Sequence, residues 1–278
     1  MDLLSLGWSK VEIVRVAEST IAESVTLILP TYNERDNIRL LIERALTALA
    51  DWKGEVEVLV VDDDSPDGTW QVVQEMMERD RRITLYRRLT ERGLTSAIWA
   101  GIERARCSIV VWMDCDLSMP PECVPTLLSA LEQAGADVAI GSRYVAGGRD
   151  IGHSFIGQLF SRIINWFAGL LLGFAVRDYT TGFVAARRRV FDRIRLQGDY
   201  GEYCIDFLYR ARKEGYRVVE VPYTCVERLA GQSKTALNLL GYLRRGSKYV
   251  TTILRLRFPI CRRRIETSQT ETHGRKAC

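Results

Sequence analysis

From Val25 onward, short runs of β-branched and aliphatic residues alternate with longer stretches whose apolar positions recur at helical spacing. Uninterrupted apolar runs suit strands buried on both faces, and the alternation predicts βαβ units on a mainly parallel sheet. Strands are predicted at 25–29 (VTLIL), within 56–61 (EVLVV), and at 83–86 (ITLY), 109–113 (IVVWM) and 137–141 (DVAIG). Helices are predicted between them at 37–50, 69–79, 96–106 and 121–133, the last opening with Pro121, whose missing N–H is harmless there. Each strand ends in a polar cluster. In open α/β sheets ligands bind at the carboxyl ends of strands, so the chemistry is expected in those clusters.

After Gly141 the alternation stops. A Gly-rich link at 146–148 leads into an apolar stretch at 155–174, then a helix at 204–214, a strand at 217–221 (RVVEV) and a Gly-Gln-Ser loop at 231–233. Leu239, Leu240, Leu243, Val250, Ile253 and Leu254 then recur near helical spacing, with Arg244, Arg245, Lys248 and Arg255 on other faces. This predicts a basic amphipathic helix over 236–262, broken at Gly246, which either packs on the body or rests on a membrane surface. Residues 1–24 read as an N-terminal extension, 25–235 as the main domain, and the polar segment 263–278 as a disordered tail.

The chain has 278 residues, 47% hydrophobic and 27% charged with 7 Pro, which excludes collagenous, mucin-like and wholly disordered classes. A domain of this size closes its core without disulfides or metals. Seven Cys, at 107, 115, 123, 204, 225, 261 and 278, form no CxxC pair, and with two His they assemble no zinc-site spacing. Reduced thiols in the cytosol are expected. Asp2, Lys10, Glu12 and Arg15 interrupt the first apolar runs, so neither a signal peptide nor a spanning helix is expected there. The longest apolar stretch, 163–176, contains Asn165 and falls short of the roughly 20 residues of a bilayer span, so it is expected to lie on a membrane rather than cross it. Net charge is +4, yet 228–265 holds ten Lys or Arg and no acid, leaving the remainder acidic. Such a segment is drawn to anionic lipid or nucleic acid.

The segment VVWMDCDLSMPP places Asp114 and Asp116 at the end of a buried strand. Two carboxylates so spaced can gather a hard divalent cation, with phosphate oxygens completing its shell, or can cap a helix turn. Other strand ends carry Pro30-Thr31-Tyr32-Asn33-Glu34, the acid-rich stretch from Asp62 to Thr69, and Gly141-Ser142-Arg143-Tyr144. Together they suit a metal-bound nucleotide, with Tyr32 at the base and Arg143 at phosphate. His153, in the polar link, reads as solvated, Arg187–Arg189 as the charged start of a helix, and Trp166 and Phe167 as ordinary apolar or interfacial contacts.

The ordered motifs PTYNE, VVDDDSPDGT, GLTSA, DCDLSMPP, GSRYVAGG, DYTTGF, EGYRVVEVP with its preceding helix, and ERLAGQSK span about 25–234. This set resembles family 2 glycosyltransferases of the GT-A fold and, more narrowly, is similar to dolichol-phosphate mannosyltransferases. The resemblance implies a GT-A sheet flanked by helices, a membrane-associated C-terminal helix and no transmembrane domain. It implies metal-dependent transfer of mannose from GDP-mannose to a dolichyl or polyprenyl phosphate by a single inverting displacement, giving a lipid-linked β-mannosyl phosphate. The setting implied is peripheral, on the cytosolic face of a membrane, with no nucleic-acid partner and protein partners left open. Alternatives are a UDP-glucose or other hexose donor, and a non-catalytic nucleotide-sugar binding module. A signalling receiver domain, suggested by VLVVDDD and MDCDLS, fails because no Lys lies between Lys53 and Lys213.

By position, the resemblance implies Pro30, Tyr32 and Glu34 at the nucleotide base, and Val61 and Asp63 beside base and ribose. Asp114 and Asp116 occupy the DxD positions for Mg²⁺ or Mn²⁺, with Asp116 foremost, and Cys115 between them belongs to the donor stretch although strand alternation turns its side chain to the core. Arg143 matches a donor-binding arginine, Arg228 and Lys234 the basic pair of a loop closing on phosphates, and Ser161 the serine at the acceptor phosphate. Ser118 stands where many relatives place a metal-contacting Gln, which adds it to the metal shell. Gly157 replaces an acceptor-binding Arg, leaving Arg162 as substitute, and Gly201-Glu202-Tyr203 stands where relatives carry GFK or GFQ, losing a possible Lys contact to the donor.

Overall fold

A computed structural model describes residues 23–229 and 239–258, the second segment with side chains from 246 onward. The first half alternates as expected: β1 (Val25–Thr31), α1 (Arg35–Ala48), β2 (Val56–Asp62), α2 (Thr69–Met77), β3 (Ile83–Arg87), α3 (Leu94–Arg104), β4 (Ile109–Trp112), α4 (Val124–Gln133) and β5 (Val138–Ser142). Then come β6 (Arg149–Asp150), α5 (Phe155–Leu172), β7 (Val184–Arg187), α6 (Tyr203–Lys213), β8 (Val218–Pro222), β9 (Thr224–Cys225) and α7 (Leu239–Arg257). The main sheet runs β3-β2-β1-β4-β7-β5-β8, and β6 pairs with β9 in a small second sheet. All neighbours in the main sheet are parallel except at β7, which is antiparallel to both β4 and β5.

The two-residue period of the strands sorts their side chains into two cores. Leu27 and Leu29 of β1 join Ile38 and Leu41 of α1, Val73 of α2 and Leu128 of α4. Ile28, between them, faces Ile98 of α3, Phe207 of α6 and Ile253 of α7 on the other side. A side chain at Gly101 of α3 would put its Cβ 2.4 Å from Ile28 Cγ2, so glycine is what lets α3 approach β1 this closely.

The differences from the pattern-based reading have physical causes. Val184–Arg187 is too short and too alanine-rich to signal a strand, but the slot between β4 and β5 offers ladder partners on both edges. Arg187 therefore closes a strand, and Arg188–Asp192 forms a 3₁₀ turn instead of a helix. α7 continues through Gly246, since one helical glycine costs only about 1 kcal/mol and α7 packs on α5 and α6. Two of its basic residues hold it to the body, Lys248 by Asp199 (2.5 Å) and Arg255 by Asp206 (3.2 Å). The expected extension over residues 1–22, the Gly-Gln-Ser loop with Lys234, the side chains of Arg244 and Arg245, and the tail from 263 lie outside the described residues.

Candidate active site

A pocket of about 790 Å³ opens at the carboxyl ends of β1, β2 and β4, reaching Arg143 just beyond β5, and is walled by the first turns of α5, by residues 199–203 and by Tyr249 of α7. The strands end abruptly here. Asn33 (φ 57°), Asp64 (φ 55°) and Leu117 (φ 64°) are the described non-glycine residues in the left-handed region, and they flank Tyr32 and Glu34, Asp63, and Asp116. Each such residue stores on the order of 1 kcal/mol of strain, held by the surrounding packing. The sharp turns aim one polar side chain after another across the pocket mouth.

At the end of β4, Asp114 and Asp116 both face the pocket. Ser118 N donates to Asp116 Oδ1 (3.0 Å), and Arg228 Nη2 stands 3.1 Å from Asp116 Oδ2. The loop bearing Arg228 is pinned to the same turn, Val226 N donating to Ser118 O (3.0 Å) and Leu229 N to Asp116 O (3.2 Å). Asp114 has no hydrogen-bond donor among the described residues. Burial, then the charges of Asp116 and Glu34, lift its carboxyl from its ordinary 3.8 to about 7, against the pull of Arg228 and His153. An oxygen-only set with this surplus of negative charge fits a hard divalent cation.

Arg143 is buried and meets a receptor on every edge. Nε and Nη2 donate to the two oxygens of Asp178 (2.9 and 2.8 Å), Nη2 also to Thr180 Oγ1 (2.9 Å), and Nη1 lies 3.3 Å from Asp150 Oδ2. Burial works against its charge, but the facing Asp178 carboxylate outweighs it and holds the guanidinium fully protonated. Ser161 Oγ sits 3.4 Å from Nη2 and 3.0 Å from Thr180 Oγ1, while Asn165 Nδ2 bonds Thr180 Oγ1 (2.9 Å). A single network thus joins α5 to the end of β5. DYTTGF is visible as a motif, but that Asp178 orients Arg143 across 35 residues is not readable from spacing.

At the opposite end, Pro30, Tyr32, Glu34 and Asp63 line the pocket. Glu34 Oε2 accepts from Asn37 Nδ2 (2.9 Å), and Asp63 is gripped by Arg88 Nε (2.6 Å) and Gly93 N (2.8 Å). Arg92 stacks 5.2 Å from the Tyr32 ring. Arg88 and Arg92, unsuspected from sequence, are basic residues just past β3, the strand end given no role above.

Several expected residues stand elsewhere. Val61 is fully buried in the core behind the pocket, because its place in β2 turns it inward. The side chain of Cys115 also packs in the core, its Sγ 3.3 Å from Pro30 O, so only its backbone can reach a ligand. Arg162 is exposed and not part of the lining, one helical position off the face that carries Ser161 and Asn165. Glu202 points inward, accepting from Asp199 N (3.2 Å), with its carboxyl pKa raised by burial. His153 is exposed as expected, but its ring is engaged: hydrogen bonds to Asp150 and then Cys225 raise its imidazole to about 10.

Comparison with known proteins gives a consistent picture. Polyprenol monophosphomannose synthase of Mycolicibacterium smegmatis is 41% identical over 215 residues, covering 75% of this chain and 79% of that protein. Dolichol-phosphate mannosyltransferase of Pyrococcus furiosus is 37% identical over 212 residues, 76% of this chain and 58% of that one. Undecaprenyl-phosphate mannosyltransferase of Micrococcus luteus is 36% identical over 225 residues, 78% and 89% of the two chains. Among solved structures, glucosyl-3-phosphoglycerate synthase from Mycobacterium tuberculosis in complex with Mn²⁺, uridine diphosphate and phosphoglyceric acid has the same fold, with a TM-score of 0.63 at 18% identity over 84% of this chain and 78% of that one. The profile described as Glycosyl transferase family 2 matches residues 26–195, spanning the strand-end acids, Arg143 and α5, and the chain is a GT-A glycosyltransferase of that family.

Proposed function

We propose that the protein transfers a mannosyl residue from GDP-mannose to a dolichyl or other polyprenyl phosphate, at the cytosolic face of a membrane. One observation carries the reading: a single pocket runs from the strand-end acids to Ser161 of α5, and the outer face of α5 is bare and apolar. The relatives named for this transfer, 36–41% identical, support it.

In this reading Pro30, Tyr32, Glu34 and Asp63 hold the nucleoside of the donor. Asp114, Asp116 and Ser118 hold a divalent ion, Mg²⁺ or Mn²⁺, which supplies positive charge to the departing nucleotide diphosphate. Arg228, with Lys234 beyond it in the chain, faces the same diphosphate. Arg143 and Ser161 receive phosphate oxygens where α5 meets β5. The acceptor phosphate is already an anionic nucleophile at neutral pH, so no side chain has to remove a proton from it. Arg143, locked by Asp178 and Thr180, meets donor phosphate charge next to Ser161 at the acceptor phosphate, which holds the two reactants side by side for in-line attack at the anomeric carbon, and a single displacement inverts the linkage.

Phe155, Ile156, Leu159, Ile163, Trp166 and Leu170 form the bare stripe, Phe155 being 80% and Trp166 60% exposed. α5 is the one described helix long and apolar enough to cross a membrane, but its other face carries Ser161 and Asn165 of the site and packs on the domain. It therefore lies along the membrane surface with the stripe among the proximal isoprenes.

The test is transfer of label from GDP-mannose, with UDP-glucose in parallel, into an organic-extractable product with a short polyprenyl phosphate and Mg²⁺ or Mn²⁺. Metal-dependent transfer of mannose is expected, and Asp116→Ala should lower it on the order of a hundredfold or more. Transfer of glucose alone, or of neither sugar, overturns the donor assignment.

A further inference from the structure

Beside Arg143 stands a second group of ligand-bearing side chains that the transfer reaction does not use. Asp150 ends β6, His153 lies in the turn before α5, and Cys225 ends β9, directly opposite Asp150 in the β6/β9 ladder. One atom from each, a carboxylate oxygen, a ring nitrogen and the sulfur, lie within 4.8 Å of one another. His153 Nδ1 is 2.9 Å from Asp150 Oδ1, 3.1 Å from Oδ2 and 3.8 Å from Cys225 Sγ. Carboxylate and sulfur therefore crowd the same ring nitrogen. A nucleophile, base and acid in relay would occupy opposite ring nitrogens, so this is not an activated thiol. Convergence on one point is what a metal ion requires of its ligands.

We infer that Asp150, His153 and Cys225 form a second cation site, selective for a thiophilic divalent ion of the Zn²⁺ class and separate from the Asp114/Asp116 pair. The donor sets divide the two. Two carboxylates suit Mg²⁺ or Mn²⁺, whereas one thiolate, one imidazole and one carboxylate suit Zn²⁺. Tetrahedral bonds of about 2.0–2.3 Å set ligand atoms roughly 3.3–3.7 Å apart, within the spread of the separations here. Arg143 Nη1 meets Asp150 at Oδ2, leaving Oδ1 to the ion and fixing the carboxylate as an outer partner does. Arg143 is itself neutralised by Asp178. The ion takes the place of two protons, one from the imidazolium and one from the thiol, so loading releases both and leaves the local charge unchanged.

Three protein ligands leave a fourth position. Gly152, His153 and Cys225 line the pocket, so that position opens on it and takes water or a substrate oxygen. A bound ion ties β6, the start of α5 and β9 together, and β9 leads within three residues to Arg228. It braces the wall that carries both Ser161 and the loop over Asp116. The ligands are 3 and 72 residues apart in sequence, which is why no spacing rule reveals them.

The test uses metal-free full-length protein titrated with Co²⁺ in excess Mg²⁺, which satisfies the oxygen-only pair. One equivalent of Co²⁺ should bind with a thiolate-to-cobalt charge-transfer absorption and tetrahedral d–d bands, and one equivalent of Zn²⁺ should displace it. Cys225→Ser should abolish the charge-transfer band, His153→Gln should weaken binding at least tenfold, and Asp116→Asn should change neither. Because Cys225 is buried, thermal unfolding of the metal-free variant reports whether it is folded, and His153→Gln, at a half-exposed position, carries the test if it is not. Absence of stoichiometric binding, a band that survives in folded Cys225→Ser, wild-type affinity in His153→Gln, or loss of the band in Asp116→Asn overturns the site. The readout is spectroscopic, so it stands or falls independently of which sugar is transferred.

Discussion

Arg143 buries a full positive charge at the junction of β5 and α5, and Asp178, entirely buried, is what makes that tolerable. Breaking this pair leaves the buried charge with only the longer, single contact to Asp150. Asp178→Ala should therefore cost about 3–5 kcal/mol in urea unfolding, far more than loss of an exposed pair such as Arg39–Glu75. Asp114 gives a second residue-scale expectation. Its carboxyl keeps its proton to about 7 in the folded chain, against an ordinary 3.8, so between those values the folded state binds more protons than the unfolded one. Stability of metal-free protein should fall as pH rises through that window, and Asp114→Asn should flatten the slope in denaturant titrations. That Asp114, Asp116 and Arg143 end up in one pocket was legible in the sequence because each sits in a contiguous motif at a strand end, whereas Ser161 was pointed to only by the resemblance and lies on α5 beside them. Asp178, Arg88 and Asp150 were not legible, since each takes its role from a partner that only the fold brings near. Arg162 and Val61 show the reverse: a motif position locates a residue along the chain, but helix and strand phase decide which way it points.

At the scale of elements, α5 does two jobs with two faces. Ile164, Ala168 and Leu172 pack on the body while Ser161 and Asn165 reach the site, and the stripe from Phe155 to Leu170 remains uncovered. Burying an aliphatic side chain is worth about 1.5–3 kcal/mol, so Leu159→Asp and Ile163→Asp should each weaken sedimentation with anionic liposomes roughly tenfold or more. Neither should change urea unfolding by more than about 0.5 kcal/mol, because both positions are already in solvent. If sedimentation is unaffected, α5 does not contact the bilayer. The basic amphipathic helix was read as either packed on the body or resting on a membrane, the second for its lack of acids, and Lys248 and Arg255 in fact spend their charge on Asp199 and Asp206. Charge patterning along a sequence cannot tell a headgroup from an acid on the same protein, and here the apolar stripe is the better pointer.

At the scale of the whole molecule, the βαβ alternation and the gathering of polar clusters at one sheet edge were plain from hydrophobic pattern, because parallel strands must be buried on both faces. The insertion of β7 was not, because its place depends on partner residues 72–78 positions earlier in β4 and 44–48 positions earlier in β5. That insertion governs how the protein is made. β4 and β5 do not pair with each other, so as the chain leaves the ribosome the β3-β2-β1-β4 half presents a naked, fully apolar edge at β4 until residue 187 has emerged. Only after α5 has been synthesised and the chain turned back can the nascent sheet be sealed. A stalled or truncated chain ending before β7 is thus a substrate for chaperones and for edge-to-edge aggregation, and never a half-working transferase.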